Sequence, residues 1–446
     1  MKKILILNRG EIALRIIRTC LDLNIHHLLV YSKEDESSLP VKLAKETFCL
    51  GEGPSSNTYL NQDLIIEIAF LTGCDALHPG YGFLSENVSF AQKCKDHQII
   101  FIGPNIKSLK IMGDKLESKK FAIQHNIPVL QSLDVKTLSP SSLKEKSMAL
   151  GFPLLIKASG GGGGKGMQKI ENLDELFPTI ERLKKESLES FGTDALFIEK
   201  YIENPRHIEV QILGDKHGNI IHLGTRDCSI QRKFQKIIEE APATILENSQ
   251  LLYEKSLILA KAIEYESAGT LEFLYDQKEK KFYFMEMNTR IQVEHTVTEE
   301  ITHMDLIAWQ IFIAENKVIP KQEEIVFQGH AIELRINAEN SKTFFPSPKN
   351  IEFYHPPGGL GVRVDDFIYN GYTISPFYDS LIAKIIIKGK TRNESIQRSL
   401  RALEETFISG PDTNINLHKN ILQDEDFKKN TYSTAFLQEK ISSFEL

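Results

Sequence analysis

The opening segment, to about residue 112, constrains the fold more than any other part of the chain. Short apolar runs recur there ("KKILIL", "HLLVYS", "TFCLG", "DALHPG" and "IIFIGP"), and each ends in a polar or Gly/Pro loop. Helix-like stretches separate most of them, such as "DLIIEIAFL" and the Ile12, Ile16, Ile17, Leu21 pattern that follows "NRGE". Strand-length runs alternating with amphipathic helices predict a parallel sheet with crossover helices, its ligand loops beyond the carboxyl ends of the strands. The loops "NRGE" and "HPGYG" contain no GxGxxG, so a dinucleotide site is not indicated.

A chain of 446 residues exceeds one compact core, and two to four domains are expected. Beyond the first unit (1–112), "MGDKLESKKFAIQHNIPV" reads as a helical connection over 113–128. A unit over 129–200 holds the strand "FPLLIKAS", a glycine run and a helix beginning at "NLDEL". There Asn172 can cap and Glu175 stands three residues on, as in a capping box. Residues 201–328 open with long strand-like runs ("RHIEVQIL", "IIHLGTRDC", "GTLEFLYD", "KFYFMEMN"), and "DQKEKK" between the last two predicts a hairpin loop. Thr296 and Glu299 in "TVTEEI" form a second candidate capping box, for a helix carrying Leu306, Trp309, Ile311 and Phe312. A final unit over 329–446 mixes strands with the helix "NESIQRSLRALEETF". The overall expectation is an α/β and α+β multidomain chain.

Several function classes are disfavoured. A net charge of −7 suits a broad polyanion-binding surface poorly, although local basic pockets for small phosphate ligands remain open. Cys20, Cys49, Cys74, Cys94 and Cys228 are scattered, without a CxxC, and read as reduced thiols rather than a zinc or disulfide framework. "MKKILILNRGE" lacks the apolar core of a signal peptide, and no run approaches the length of a membrane span. A cytoplasmic protein is expected.

The run Gly160–Gly164, followed by Lys165 and Gly166, satisfies GxGxxG only as any glycine run does. It fails the P-loop pattern: Ser159 stands at the first glycine position and Gly166 follows the lysine where Ser or Thr is needed. Both motifs also require a helix next, whereas strand-like "MQKI" follows, so the run reads as the tip of a β-hairpin. Five glycines are costly to order. A flexible linker is one reading. The apolar strands on both sides favour the other, a mobile lid whose bare backbone N–H groups approach phosphate oxygens while Lys157 supplies charge.

In "FMEMNTRIQVEH" every second residue from Glu286 is polar: Glu286, Asn288, Arg290, Gln292 and Glu294. An extended chain puts all five on one face. Straight, that stretch spans roughly 27 Å, too long for one small-molecule site, so either the strand bends or its two ends serve different parts of an extended site. Glu286 and Asn288, with Glu272 opposite across the hairpin, offer hard oxygen ligands suited to Mg²⁺. Arg290 and the start of the following helix would hold Glu294 ionised, as a base requires. A solvated face with weak cross-strand ion pairs is the bland alternative. HExxH and GxSxG are both absent.

The motifs "NRGEIALRI", "HPGYGFLSEN", "MGDK", "KASGGGGGKGM", "RHIEVQ", "RDCSIQRKFQK", "EEAPA", "GTLEFL", "EMNTRIQVEHTVTE", "ELRINAE" and "SPFYDSLIAK" occur in this order. In that order the chain resembles the biotin carboxylases, which are ATP-grasp enzymes. The resemblance implies a Rossmann-like N-terminal domain, ATP-grasp domains with a glycine-rich lid, and carboxylation of carrier-bound biotin from ATP and bicarbonate through carboxyphosphate. It implies ATP contacts from Lys115, Lys157, Gly163, Gly164, Glu199, Lys200, Tyr201, Ile202, His207, Gln231, Glu272 and Glu286. It places Mg²⁺ (or Mn²⁺) on Glu272, Glu286 and Asn288, and bicarbonate on Lys236, Arg290, Gln292 and the Val293 backbone. Glu294 would be the base, and Arg335 would stabilise the biotin enolate. Phe234 departs from the family, many members of which have His beside the ribose, and Lys349 replaces a frequent glycine. No Met-Lys-Met biotinylation signal is present, so biotin is expected on a separate carrier protein, with separate carboxyltransferase subunits and a homodimer typical of the family. The pattern is that of the stand-alone subunit of a bacterial acetyl-CoA carboxylase, which feeds fatty acid synthesis. A subunit of a pyruvate or other acyl-CoA carboxylase is the alternative. Another ATP-grasp ligase fits "TRIQVEH" with "ELRINAE" less well, and intact Glu272, Glu286, Asn288, Glu294 and Arg335 speak against a non-catalytic nucleotide-binding scaffold.

Overall fold

The apolar runs of the opening segment become Lys3–Ile6 (β1), His26–Tyr31 (β2), Glu46–Cys49 (β3), Ala76–His78 (β4) and Ile100–Phe101 (β5), an all-parallel sheet in the order β3-β2-β1-β4-β5. This computed structural model describes residues 1–159 and 166–445; Gly163 and Gly164, the expected lid glycines, lie outside the described residues. The helix Gly10–Asp22 follows β1 and buries Ile12, Ile16 and Ile17, while Leu21, the last of the predicted stripe, stays exposed. The same apolar layer takes in Leu213, Leu223, Ile307 and Ile311. The parallel sheet is thereby fixed to the next body of the protein through a shared core.

Ser132–Asp134 (β6), Leu154–Ala158 (β7), Met167–Ile170 (β8) and Leu196–Lys200 (β9) build a small antiparallel sheet in the order β6-β9-β7-β8. β7 and β8 pair as a hairpin, with the glycine run in the connection between them, as the sequence predicts. Asn172 caps as expected: its side chain accepts from the Asp174 and Glu175 N–H groups at 3.0 and 3.3 Å. A 3₁₀ turn, Leu173–Glu175, leads from there into the helix Leu176–Phe191.

The remaining strands are Arg206–Gly214 (β10), Ile220–Arg232 (β11), Gln235–Ala241 (β12), Ser267–Asp276 (β13), Lys281–Asn288 (β14), His330–Asn337 (β15), Phe353–His355 (β16), Val362–Asp366 (β17), Leu381–Gly389 (β18) and Phe407–Ser409 (β19). Eight of them form one antiparallel sheet, β14-β13-β10-β11-β12-β15-β18-β17. Because β12 pairs with β15, this sheet runs unbroken past residue 328. β13 and β14 make the predicted hairpin around residues 277–280.

Two local expectations are modified. Strand β14 ends at Asn288 and residues 289–294 leave the sheet, so of the two alternatives left by the length of the stretch the bent one holds, and the extended face does not continue to Glu294. The predicted helix is two helices, His295–Thr302 and Leu306–Ala314, separated at His303, which adopts a left-handed conformation (φ 57°). Neither end uses the Thr296–Glu299 box. Glu294 occupies the N-cap position of the first helix, and Asp305 caps the second by accepting from the Ala308 N–H at 2.8 Å. Buried partners explain the change. The Thr296 hydroxyl donates to Glu333, and Glu299 is taken by Arg15 at 3.0 Å and Arg363 at 2.8 Å, charge-assisted contacts stronger than a backbone cap.

Candidate active site

The site lies across the large sheet. Glu286 pairs with Glu272, Glu272 with Glu209, and Glu209 with Arg226, so four charged side chains stand opposite one another on four adjacent strands. A bulge creates this register. The outer part of the hairpin pairs Phe273 with Phe284, but the inner part pairs Glu272 with Glu286, which leaves Met285 as the extra residue. Without it, Met285 would face Glu272.

Lys236 from β12 ties the row together. Its ammonium contacts Glu209, Glu272 at 2.9 Å and Glu294 at 2.6 Å. Arg226 donates to Glu209 at 2.9 Å, Gln211 at 2.7 Å and Gln292 at 2.5 Å. Arg335 from β15 donates to Glu239 at 2.6 Å and Glu294 at 3.0 Å. All four carboxylates are buried. Burial alone would raise their pKa values. For Glu294 the Lys236 charge outweighs burial, with Arg335 and Arg226 adding to it, and the carboxyl is held well below its ordinary range. Lys236 acts likewise on Glu209 and Glu272, joined by Arg226 on the first and His207 on the second. His207 lies 3.1 Å from Glu272 and 3.3 Å from Glu209, and Gln231 contacts its Nδ1 at 2.7 Å. Burial works against the charged imidazole, but Glu272 and Glu209 prevail and push it up to about 9.

The segment after β14 folds back instead of running on. Asn288 and Gln292 both donate to the same Glu272 oxygen, at 2.7 and 2.8 Å. The two ends of the alternating stretch therefore adjoin. Arg290 is held by Glu86, from the loop after β4, at 2.9 Å, and donates to the Asn288 side-chain oxygen at 2.9 Å. Lys384, fully buried, donates to the Val293 carbonyl at 2.7 Å.

At the other end Lys115 lies 3.3 Å from Glu286, and Lys157 lies 2.7 Å from Glu199. Lys200 donates to the carbonyls of Gly151 and Phe152 at 2.7 and 3.2 Å, and Tyr201 carries Lys169 over its ring at 4.6 Å. Ile202 is half-buried just past β9. Phe234, with Lys233, forms the two-residue left-handed turn between β11 and β12 (φ 66° and 47°) and is 54% exposed.

The oxygen donors Glu272, Glu286 and Asn288 share one corner of the sheet and fit a hard divalent cation. Among the described residues two other groups bring potential ligand atoms within 4.8 Å of one another: His207, Glu209 and Glu272, and Glu209, Cys228 and Glu294. Lys236 contacts Glu209 in both groups, with Glu272 in the first and Glu294 in the second. An ammonium already fills the place of a cation there. Glu286 is the more open of the two carboxylates in that corner.

Sequence reasoning missed Glu209, Arg226, Glu239, Glu86 and Lys384. Glu209 and Gln211 alternate with Ile208, Val210 and Ile212 in "RHIEVQIL", a signal of the same kind as in "FMEMNTRIQVEH". Nothing local marks Glu86, which reaches the site only through tertiary packing.

The helix Lys115–Gln124 joins a small lysine-bearing sheet to a carboxylate-lined antiparallel sheet, Lys119 contacting Glu199 on the first and Lys115 reaching Glu286 on the second. This architecture defines an ATP-dependent ligase of the ATP-grasp class. Residues 1–109 match the family model described as "Biotin carboxylase, N-terminal domain", 114–322 match "Carbamoyl-phosphate synthase L chain, ATP binding domain", and 333–439 match "Biotin carboxylase C-terminal domain". The chain is 48% identical to the biotin carboxylase of Haemophilus influenzae over 446 residues, covering 99% of each. Two solved structures superpose closely. A Campylobacter jejuni biotin carboxylase in a β,γ-ATP complex gives a TM-score of 0.95 at 43% identity, covering 98% of both chains. The biotin carboxylase domain dimer of Hydrogenobacter thermophilus 2-oxoglutarate carboxylase, with MgADP, ADP and bicarbonate, gives 0.96 at 44% identity, covering 100% of this chain and 99% of that one. The chain belongs to the biotin carboxylases.

Proposed function

We propose that the protein uses ATP and bicarbonate to carboxylate biotin on a separate carrier protein, the first half-reaction of an acetyl-CoA carboxylase. The observation that carries this reading is Lys236, whose ammonium joins the metal-side carboxylate Glu272 to the base Glu294. One cation thereby links the nucleotide end of the site to the bicarbonate end.

In this scheme Lys115 and Lys157 bind the ATP phosphates. Glu199, Lys200, Tyr201 and Ile202 border the adenine, with His207 and Gln231 completing the nucleotide pocket, and Gly163 and Gly164 belong to the lid. Mg²⁺ (or Mn²⁺) held by Glu272, Glu286 and Asn288 would neutralise phosphate charge. Lys236, Arg290, Gln292 and the Val293 N–H hold bicarbonate. Glu294 removes its proton, and the freed oxygen attacks the γ-phosphorus, releasing ADP and giving carboxyphosphate. Carboxyphosphate then breaks its C–O(P) bond to give CO₂ and phosphate, the phosphate takes the ureido N–H proton of biotin, and the biotin enolate, stabilised by Arg335, which is always charged and pinned by Glu239, attacks CO₂ to give carboxybiotin. Phe234 stands in the hairpin turn next to this pocket and offers no hydrogen bond to a ribose.

The five segments 1–112, 113–128, 129–200, 201–328 and 329–446 serve as the working domain division. Partner carboxyltransferase subunits supply the second half-reaction. A homodimer is supported by Leu360, 87% exposed, and by Phe353 and Phe407, exposed on the two-stranded β16–β19 sheet. A cytoplasmic location belongs to this reading; among the described residues no helix is long and apolar enough to cross a membrane. The 46% identity to the 2-oxoglutarate carboxylase small subunit of Hydrogenobacter thermophilus favours a second acceptor class, a 2-oxo acid. ATP hydrolysis measured with bicarbonate, with and without free biotin, tests the main reading. Biotin-stimulated, bicarbonate-dependent turnover is expected, and its absence refutes the proposal. Reconstitution with acetyl-CoA or 2-oxo acid carboxyltransferases separates the two acceptors.

A further inference from the structure

Lys119 lies one turn beyond Lys115 on the helix Lys115–Gln124, and, unlike its neighbours Glu117 and Lys120, it is buried. Its ammonium contacts Glu199 and sits 4.9 Å from the centre of the Phe197 ring. Phe197 and Glu199 are two apart on β9 and so share a face. Lys157 reaches the same Glu199 carboxylate from β7, at 2.7 Å from its other oxygen. One carboxylate therefore serves two buried ammonium groups. Lys115, at the start of the same helix, lies 3.3 Å from Glu286.

Among the described residues, Lys119 and Lys157 thus share one carboxylate, Glu199. Burial pushes the Lys119 ammonium down to about 6, with repulsion from Lys157 and Lys115 adding to it, and burial and Lys115 push Lys157 down to about 8. A hydrophobic side chain would fill the Lys119 position without that cost, so a lysine there calls for a ligand that repays its burial.

We propose that Lys119 is a third cationic contact for the phosphate chain of the nucleotide, held on Glu199 until the nucleotide binds. The inference rests on the nucleotide reading of the Lys115–Lys157 end and extends it to a residue that the family resemblance does not assign. When a polyphosphate enters, Lys119 and Lys157 both gain anionic oxygens, and Glu199 is no longer shared between them. A purely structural Lys119 would act on β9 and the adenine border alone, and would be indifferent to phosphate.

The test measures equilibrium binding of ATP and of adenosine, which lacks phosphate, to the full chain and to the Lys119→Gln and Lys119→Arg variants. Loss of one charge-assisted hydrogen bond should weaken ATP about tenfold or more in Lys119→Gln while leaving adenosine within about twofold. Lys119→Arg, which keeps the charge, should retain most of the ATP affinity and controls for folding. Equal weakening of ATP and adenosine in Lys119→Gln, or no weakening of either, overturns the assignment. A wild-type protein that binds adenosine but gains nothing from the phosphates also overturns it. A wild-type protein that binds neither compound refutes the nucleotide reading itself.

Discussion

Replacing Lys236 by Met tests the view that one ammonium organises the centre of the site. The side chain touches three buried carboxylates, Glu209, Glu272 and Glu294. Removing one partner of a buried ion pair costs about 3–5 kcal/mol. Three such losses will not add, because each carboxylate retains another cation: Arg226 on Glu209 at 2.9 Å, His207 on Glu272 at 3.1 Å and Arg335 on Glu294 at 3.0 Å. The expected loss is therefore at the low end, about 3 kcal/mol, or a fall of about 6–12 °C in Tm for a cooperative unit of roughly 150–250 residues. The pH dependence is the sharper readout. In the wild type the depressed carboxylates contribute stability above their unfolded pKa, and that contribution is lost as pH falls through their folded values. In the variant the same groups lose their main cation and their folded pKa values rise, so their destabilising charge is relieved on acidification. The gap in Tm between the two proteins should be widest near pH 8 and narrow toward pH 5. Thermal melts across that range decide the matter, and a gap that is absent, or constant with pH, refutes the reasoning. Bicarbonate-dependent ATP hydrolysis should be lost in the variant at every pH.

Two further outcomes follow from the same geometry. Glu294→Gln keeps the shape of the side chain but removes the base, so turnover should fall about 10²–10⁴-fold while ATP binding is spared; turnover like that of the wild type would count against the base role. ATP binding should take up protons near pH 7.5, because burial holds Lys119 and Lys157 below the usual ammonium range while they share the single Glu199 carboxylate, and the added phosphate oxygens favour their charged forms. Titration calorimetry in two buffers of different ionisation enthalpy reads this directly, and proton release or none would contradict it.

The parallel sheet at the N-terminus was legible because its apolar runs and the helices between them have different periods, and each run ends in a loop. The β7–β8 hairpin was legible from the strand-like "MQKI" that follows the glycines. The site was legible in pieces. Alternation placed Glu286 and Asn288 on one face, and that held because β14 reaches Asn288. It misplaced Gln292 and Glu294, because the chain leaves the sheet after Asn288 and returns Gln292 to Glu272. No local residue type announced the bulge at Met285 or the turn at His303. The capping box at Thr296 failed because its members found stronger partners far away in sequence, Glu333 in one case and Arg15 and Arg363 in the other. Local chemistry proposes such caps, and buried charges overrule them.

That competition also shapes the reaction centre. Glu209, Glu272 and Glu294 are held ionised against Lys236, Arg226, Arg335 and protonated His207 within one contact network, while burial raises the Glu239 carboxyl beside Arg335 to about 7. Each of these cations is in contact with a carboxylate before any substrate arrives. Glu294 is the member that can change this, because two of the cations, Lys236 and Arg335, lie on its two oxygens. While Glu294 is ionised, it competes with an incoming anion for both. Once it accepts the proton of bicarbonate it becomes neutral, and Lys236 and Arg335 are released to the doubly charged oxygen species that has just formed beside them. On the proposed mechanism, proton transfer and anion stabilisation are therefore one event at one carboxyl group. This explains why the base is buried between two cations, an arrangement that depresses its basicity and would otherwise work against its role.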